Sequence, residues 1–111
     1  MEKEYRVKKG KEIENILSNK KRIGNNNFTI YYKRNETGHF RLAISVSKKN
    51  GNAVMRNKEK RVIREIIRPL NLLDFDIFII AKSSSMDLSF EQTQKDLHYL
   101  LKKGNLIGKK Q

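Results

Sequence analysis

The chain reads as an α/β (α+β) two-layer sandwich, a small central β-sheet covered by three helices. Three observations predict it. Residues 40–47 alternate strictly, with Phe40, Leu42, Ile44 and Val46 set against Arg41, Ala43, Ser45 and Ser47, the period of a half-buried strand. Residues 53–68 switch to helical period. At about 100° per residue, Met55, Val62, Ile63 and Ile66 gather on one side, and Asn57, Lys60, Arg61, Arg64 and Arg68 on the other. The whole chain then runs helix, two strands, helix, strand, helix, an order that packs as one small layered domain. Its 111 residues predict a single domain over 1–111.

Each element has its own signal. Met1 to Lys9 is charged and carries no predicted element. Lys11 to Ser18 reads as a helix, with Ile13, Ile16 and Leu17 at one-turn spacing. Asn25-Asn26-Asn27 is a turn signal, because Asn tolerates left-handed backbone angles. Phe28 to Lys33 reads as a strand with Phe28, Ile30 and Tyr32 on one face and Thr29 and Tyr31 on the other. Arg34 to His39 is expected to close a hairpin with the strand after it. Asn52 is the candidate N-cap of the basic helix, its side chain accepting from an orphan N–H of the first turn. Pro69 is expected to push Arg68 off helical angles and end that helix. Phe75 to Ala81 is almost continuously apolar, which predicts an inner strand covered on both faces. Lys82 to Asp87 reads as a Ser-rich loop. Ser89 and Gln92 form a capping box for a last helix with Phe90, Leu97, Leu100 and Leu101 inward and Gly104 as its stop. Lys109 and Lys110 close the chain as a short basic tail.

Composition limits the function. There are 25 Lys+Arg against 12 Asp+Glu, a formal charge of +13. A domain so basic repels itself and calls for a polyanion nearby. Nucleic acid is the first candidate. A membrane surface is a weaker one, since no apolar run approaches the roughly 20 residues needed to span a bilayer. No apolar segment follows the early charges, so no secretory signal is read, and a cytoplasmic location is expected. The absence of cysteine rules out disulfides and thiolate zinc sites.

No catalytic constellation is visible. His39 sits in the expected hairpin loop and His98 in the last helix, neither with a metal-ligand partner at a recognisable spacing. Asp74 and Asp76 flank a strand start and are expected to solvate it. Two surfaces remain as candidates. The cationic helix face is either a solvated charged face or a phosphate-binding ridge. The small polar face of residues 41–47 is either plain exposed sheet or a shallow floor for a ligand. A self-sufficient nuclease is disfavoured by the scattered acids and histidines. A ribosomal or general RNA-assembly protein would share the charge and fold class.

The order of residues from 41 to 65 narrows this. Arg41-Leu42-Ala43-Ile44-Ser45-Val46-Ser47-Lys48-Lys49-Asn50-Gly51-Asn52-Ala53-Val54-Met55-Arg56-Asn57-Lys58-Glu59-Lys60-Arg61-Val62-Ile63-Arg64-Glu65 resembles the signature of the bacterial ribonuclease P protein subunit. In that family a strand ending in Ser-Val-Ser-Lys-Lys leads through Gly-Asn-Ala-Val into an Arg-Asn-Arg helix. The close match covers about a quarter of the chain. It implies an unusual left-handed β-α-β crossover around the basic helix, where sequence physics alone predicts a right-handed one. It implies a cofactor role in an endoribonuclease whose RNA subunit is the catalyst. That RNA works with Mg2+ held mainly by the RNA, with no metal bound by the protein alone. The partners implied are the catalytic RNA and the 5′ leader of precursor tRNA, with no membrane and no obligate protein partner.

By the resemblance, Lys48, Lys49, Arg56, Asn57, Lys58, Lys60, Arg61 and Arg64 meet RNA, and Arg68 extends the same face. Position 58 holds Lys where the family has Arg, which keeps the charge and loses the two-point fork. Ile13, Leu17, Thr29 and Tyr31 match the walls and floor of the family's leader cleft. Positions 13 and 17, often aromatic in the family, are aliphatic here, so stacking on leader bases is reduced. Ordinary core packing is the competing reading for both.

Overall fold

The structure, a computed structural model, describes residues 6–7, 10–47, 49, 51–70 and 72–107. Its elements are α1 (Gly10–Ser18), β1 (Arg22–Gly24), β2 (Phe28–Arg34), β3 (Arg41–Val46), α2 (Ala53–Ile67), β4 (Phe75–Ala81) and α3 (Phe90–Lys103). The predicted order is borne out, with β1 added. β1 has only three residues, one of them half-buried, too short to carry a period.

The strands lie in the order β1-β2-β4-β3. β4 is antiparallel to β2 and parallel to β3. It is the inner strand its apolar run demands. This overturns the expected hairpin: β2 and β3 follow one another in sequence, but β4 lies between them. The most apolar strand takes the position with neighbours on both sides, and the two amphipathic strands flank it. Residues 35–40 therefore bridge over the end of β4. Asn35 organises that link by donating to the His39 carbonyl at 3.1 Å and accepting from Thr37 N–H at 3.1 Å.

The core lies on one sheet face. Phe28 and Ile30 of β2, Leu42 and Val46 of β3, and Ile77, Ile79 and Ala81 of β4 meet Ile63, Ile66 and Ile67 of α2 and Leu97, Leu100 and Leu101 of α3. Each of these side chains other than that of Ala81 contributes about 1.5–3 kcal/mol when buried. Two expected core residues are not in it. Met55 and Phe90, each in the first turn of its helix, are 47% and 48% exposed and border a shared concavity with Val62 and Leu88. Ile67, not expected, is fully buried.

The opposite face of the sheet is only half covered, so β4 is not buried on both sides as its composition suggested. α1 lies across part of it, tied down by Glu12 and by Ile16, which is fully buried outside the main core. The rest is an open floor. The register sets its rows: Thr29, Ile80 and Ser45; Tyr31, Phe78 and Ala43; Lys33, Asp76 and Arg41.

The caps of α2 and α3 follow expectation. Asn52 Oδ1 accepts from Met55 N–H at 3.0 Å. Before it, Gly51 has φ +119°, and a Cβ there would lie 2.8 Å from Met55 Sδ. Ser89 and Gln92 form the capping box, and Gly104 is the C-cap of α3. Two reasons change. Arg68 keeps helical angles, φ −52° and ψ −42°. The helix stops because Pro69 has no N–H to give the Glu65 carbonyl. The Asn25–Asn27 turn uses no left-handed angle; Asn25 Oδ1 accepts from the N–H groups of Asn27 and Phe28, both at 2.9 Å. Residues 83–87, expected as loop, form a short 3-10 helix.

Candidate nucleic-acid interface

The site is built by α2 and the edge strand β3. Arg56, Lys60 and Arg64 recur every four residues, so one helical stripe carries all three. This stripe faces the floor side of β3, and between them runs a groove of about 760 Å³. Arg56, Lys60 and Arg64 form one rim, and Ala43, Ser45, Ser47 and Phe78 line the sheet side. Ile13 of α1 and Arg6 and Val7 of the N-terminal segment border it too. Val7 N–H donates to the Leu42 carbonyl at 3.0 Å, which holds Arg6 beside the outer edge of β3.

A second, smaller concavity of about 230 Å³ continues past Arg64, lined by Arg6, Arg61, Arg64, Glu65 and Arg68. Arg64 borders both. Burial, and then the like charge of Arg6, lower the pKa of its guanidinium from the ordinary arginine value. Among the described residues, no carboxylate lies within ion-pair distance of any cation of α2. Among the described residues nothing neutralises the stripe.

The expected residues divide as follows. Arg56, Lys60 and Arg64 line the groove, and Asn57, Arg61 and Arg68 are exposed on the neighbouring stripe. Lys58 is apart from them. It borders a different concavity with Met55, Glu59, Val62, Met86, Leu88 and Phe90, since two residues along a helix turn about 200°. Burial raises the Glu59 carboxyl there above its ordinary range, against an opposing pull from the Ser85 hydroxyl. Lys49 is exposed beyond the end of β3. Lys48, like the tail lysines Lys109 and Lys110, lies outside the described residues.

Of the expected cleft residues, Ile13 lines the groove. Thr29 and Tyr31 share the same sheet face, across β4 from it. The Tyr31 hydroxyl accepts from Arg22 Nη1 at 3.5 Å. Leu17 is 38% exposed near the end of α1 and does not line the groove. Neither Ile13 nor Leu17 belongs to the buried core.

Three features escaped the sequence reading. Phe78 supplies a second floor ring beside Tyr31. Its phase was the available signal, because Phe78 shares a face with Asp76 and not with Ile77 and Ile79. Arg6 had no signal, since a bridge to β3 is a long-range fact. The third is a clamp at the Arg41 end of the floor. Asp76 accepts from Arg41 Nε at 2.8 Å and Nη2 at 2.7 Å, and from Asn35 Nδ2 at 2.8 Å. Arg41 Nη1 reaches Glu12 at 2.8 Å. Asp76, expected to solvate a strand end, is only 8% exposed. Burial pushes its carboxyl up, but the bonds from Arg41 and Asn35 outweigh burial and hold it below the ordinary carboxylate range. The same bonds to Asp76 raise the Arg41 pKa.

Among the described residues no group of three His, Cys, Asp or Glu is placed to hold a metal ion. No helix among them is long and apolar enough to cross a membrane. Fold and groove together define a class, a small basic α+β domain whose un-neutralised helix stripe borders an open sheet face. Such chemistry suits a polyanion.

Comparison with known proteins supplies the family. The family model described as Ribonuclease P matches residues 1–105. The chain is 43% identical over 109 residues to the ribonuclease P protein component of Streptococcus agalactiae serotype III, covering 96% of this chain and all of the relative. The Staphylococcus aureus RNase P protein structure superposes with TM-score 0.86 at 40% identity, covering 94% of this chain and 98% of that one. The RNase P protein from Thermotoga maritima gives 0.80 at 30% identity, over 88% and 96%. This chain belongs to the bacterial ribonuclease P protein family. The resemblance read from residues 41–65 thus extends over nearly the whole chain, and membership implies a part in a tRNA-processing endoribonuclease complex.

Proposed function

We propose that this chain is a single RNA-binding domain that holds the catalytic RNA of ribonuclease P and the 5′ leader of precursor tRNA in the cytoplasm. The observation that carries this is the stripe of Arg56, Lys60 and Arg64, charged and without an ion-pair partner among the described residues, along a groove whose other wall is sheet. Guanidinium groups so placed suit phosphate, which they bond at two points. Asn57, Arg61 and Arg68 extend the contact to the catalytic RNA, with Lys48 and Lys49 at the strand end. Lys58, on a different side of α2, adds charge to that contact rather than a two-point bond. The leader lies over the floor face, in the groove that Ile13 lines, with Thr29 and Tyr31 further across the sheet and Leu17 outside it.

On this reading the RNA subunit carries out the hydrolysis that removes the leader, with the magnesium ions it holds. This chain binds and orients, and so broadens the range of precursors handled. The left-handed sense of the β3-α2-β4 crossover is part of the same proposal. Reconstitution tests it: mix the protein with a bacterial ribonuclease P RNA and follow 5′ leader removal at low magnesium. Protein-dependent cleavage to a mature 5′ phosphate end is expected. Cleavage by the RNA that is indifferent to the protein at every magnesium concentration overturns the reading, as does cleavage by the protein alone.

A further inference from the structure

We propose that Phe78 is the stacking platform for one base of the leader, and thus a specificity-determining residue of the groove. The inference rests on the leader reading above and adds to it the seat of a base. Phe78 stands in β4 between Ile77 and Ile79, both fully buried on the core face. Its own side chain projects to the opposite face, where it is half-buried and lines the groove. It is not packed against the main core.

Its neighbours within the sheet leave it open toward β3, with Ile13 of α1 lining the same groove. In register, Tyr31 lies on one side and Ala43 on the other. Ala43, with Ser45 one row along, is too small to cover a phenyl ring, so the ring is open toward β3 and the groove. That direction leads to Arg56, Lys60 and Arg64, which line the same groove. A single strand following the groove places its phosphates at the cationic rim and turns a base onto the ring. Aromatic platforms bordered by cations are the common chemistry of single-strand binding, tolerant of sequence because every base has a π-face. An apolar peptide would use the ring but not the three cations beside it, which have no ion-pair partner among the described residues, so the groove favours single-stranded RNA.

The test uses the reconstituted holoenzyme and measures affinity for precursor tRNA with a long leader, with a leader trimmed to a single nucleotide, and for mature tRNA. Phe78→Leu, which keeps an apolar side chain, should lose about five- to tenfold on the long leader, the lower part of what a base–aromatic stack is worth. It should lose nothing on the other two substrates, and Phe78→Tyr should retain wild-type affinity. A scan of single abasic sites along the leader needs no variant. Wild type should lose affinity at one position, and Phe78→Leu should be indifferent to that position. Equal losses on all substrates, an unchanged Phe78→Leu protein, or an abasic scan without a single sensitive position each overturn the proposal. In those cases a wild-type preference for the long leader leaves the leader reading standing. If wild type itself shows no such preference, the leader reading falls and this one with it.

Discussion

Arg41 and Arg64 are half-buried arginines near the same edge strand, Arg41 in β3 itself and Arg64 beside the Arg6 that pairs with Leu42, and the molecule treats them in opposite ways. Arg41 is bonded by Asp76 on one side and Glu12 on the other. Arg64 has no carboxylate within ion-pair distance among the described residues, and Arg6 adds repulsion. The first joins α1 to the sheet with its counterions inside the fold. The second keeps a partly desolvated cation waiting for a counterion from outside. A cation used for stability is neutralised at once, whereas a cation kept for a polyanion stays unpaired at some cost to the free protein.

The largest expected effect tests the first half of that contrast. Asp76→Ala takes from the half-buried Arg41 its main partner while Glu12 remains, and should destabilise by about 3 kcal/mol, the upper end for a hydrogen bond to a charged group. Urea unfolding measures it, and a loss within about 0.5 kcal/mol of wild type would show the clamp to be ornamental. The sign with pH follows from the depressed Asp76 carboxyl. A folded-state pKa below the unfolded one stabilises above the ordinary carboxylate range, and that share is lost as pH falls through the depressed value. Asp76→Asn should therefore flatten the acid limb of the stability curve.

Arg64→Ala should show the reverse pattern. Removing a desolvated, repelled cation should leave the melting temperature unchanged or raise it. Binding to the catalytic RNA should fall about 10- to 100-fold, matching the roughly 1.5–3 kcal/mol of a charge-assisted bond. The slope of log affinity against log salt should become shallower by about 0.7–0.9. An Arg64→Ala protein that unfolds, or wild-type affinity that is flat with salt, would erase the distinction between the two arginines.

Much of this contrast was legible in the sequence, but not its geometry. Period and caps placed α2, α3, β2, β3 and β4, because those signals are local. Helical spacing put Lys60 and Arg64 on the cationic side with Asn57, Arg61 and Arg68, while Arg56 came from the family resemblance alone. The hairpin expected between β2 and β3 failed because β4 comes from far along the chain and separates them. With β4 in place, Asp76 falls level with Arg41, so a residue expected at a solvated strand end becomes a buried counterion. The same insertion brings Phe78 to the middle of the floor. Pairing partners from distant segments are invisible to any window of residues, and both the clamp and the second ring depend on them.

The smallest expected effect concerns the part of the floor furthest from the cationic rim. Tyr31 lies on the floor face, across β4 from Ala43. Its hydroxyl is already engaged, at long range, by Arg22, and its ring does not line the groove. A leader following the groove reaches Tyr31 only by crossing the sheet. Tyr31→Ala should then weaken long-leader precursor binding by less than about 1 kcal/mol, below the range for a full stack. Mature tRNA binding and assembly with the catalytic RNA should not change, and the loss should vanish with a trimmed leader. Ring insertion sharpens the same test. Ile13→Phe should raise long-leader affinity, because Ile13 lines the groove, while Leu17→Phe should not, because Leu17 lies outside it. A gain from Leu17→Phe but not from Ile13→Phe would move the leader to the Tyr31 side. Equal losses from Tyr31→Ala on every substrate would make that ring a packing residue and remove it from the cleft.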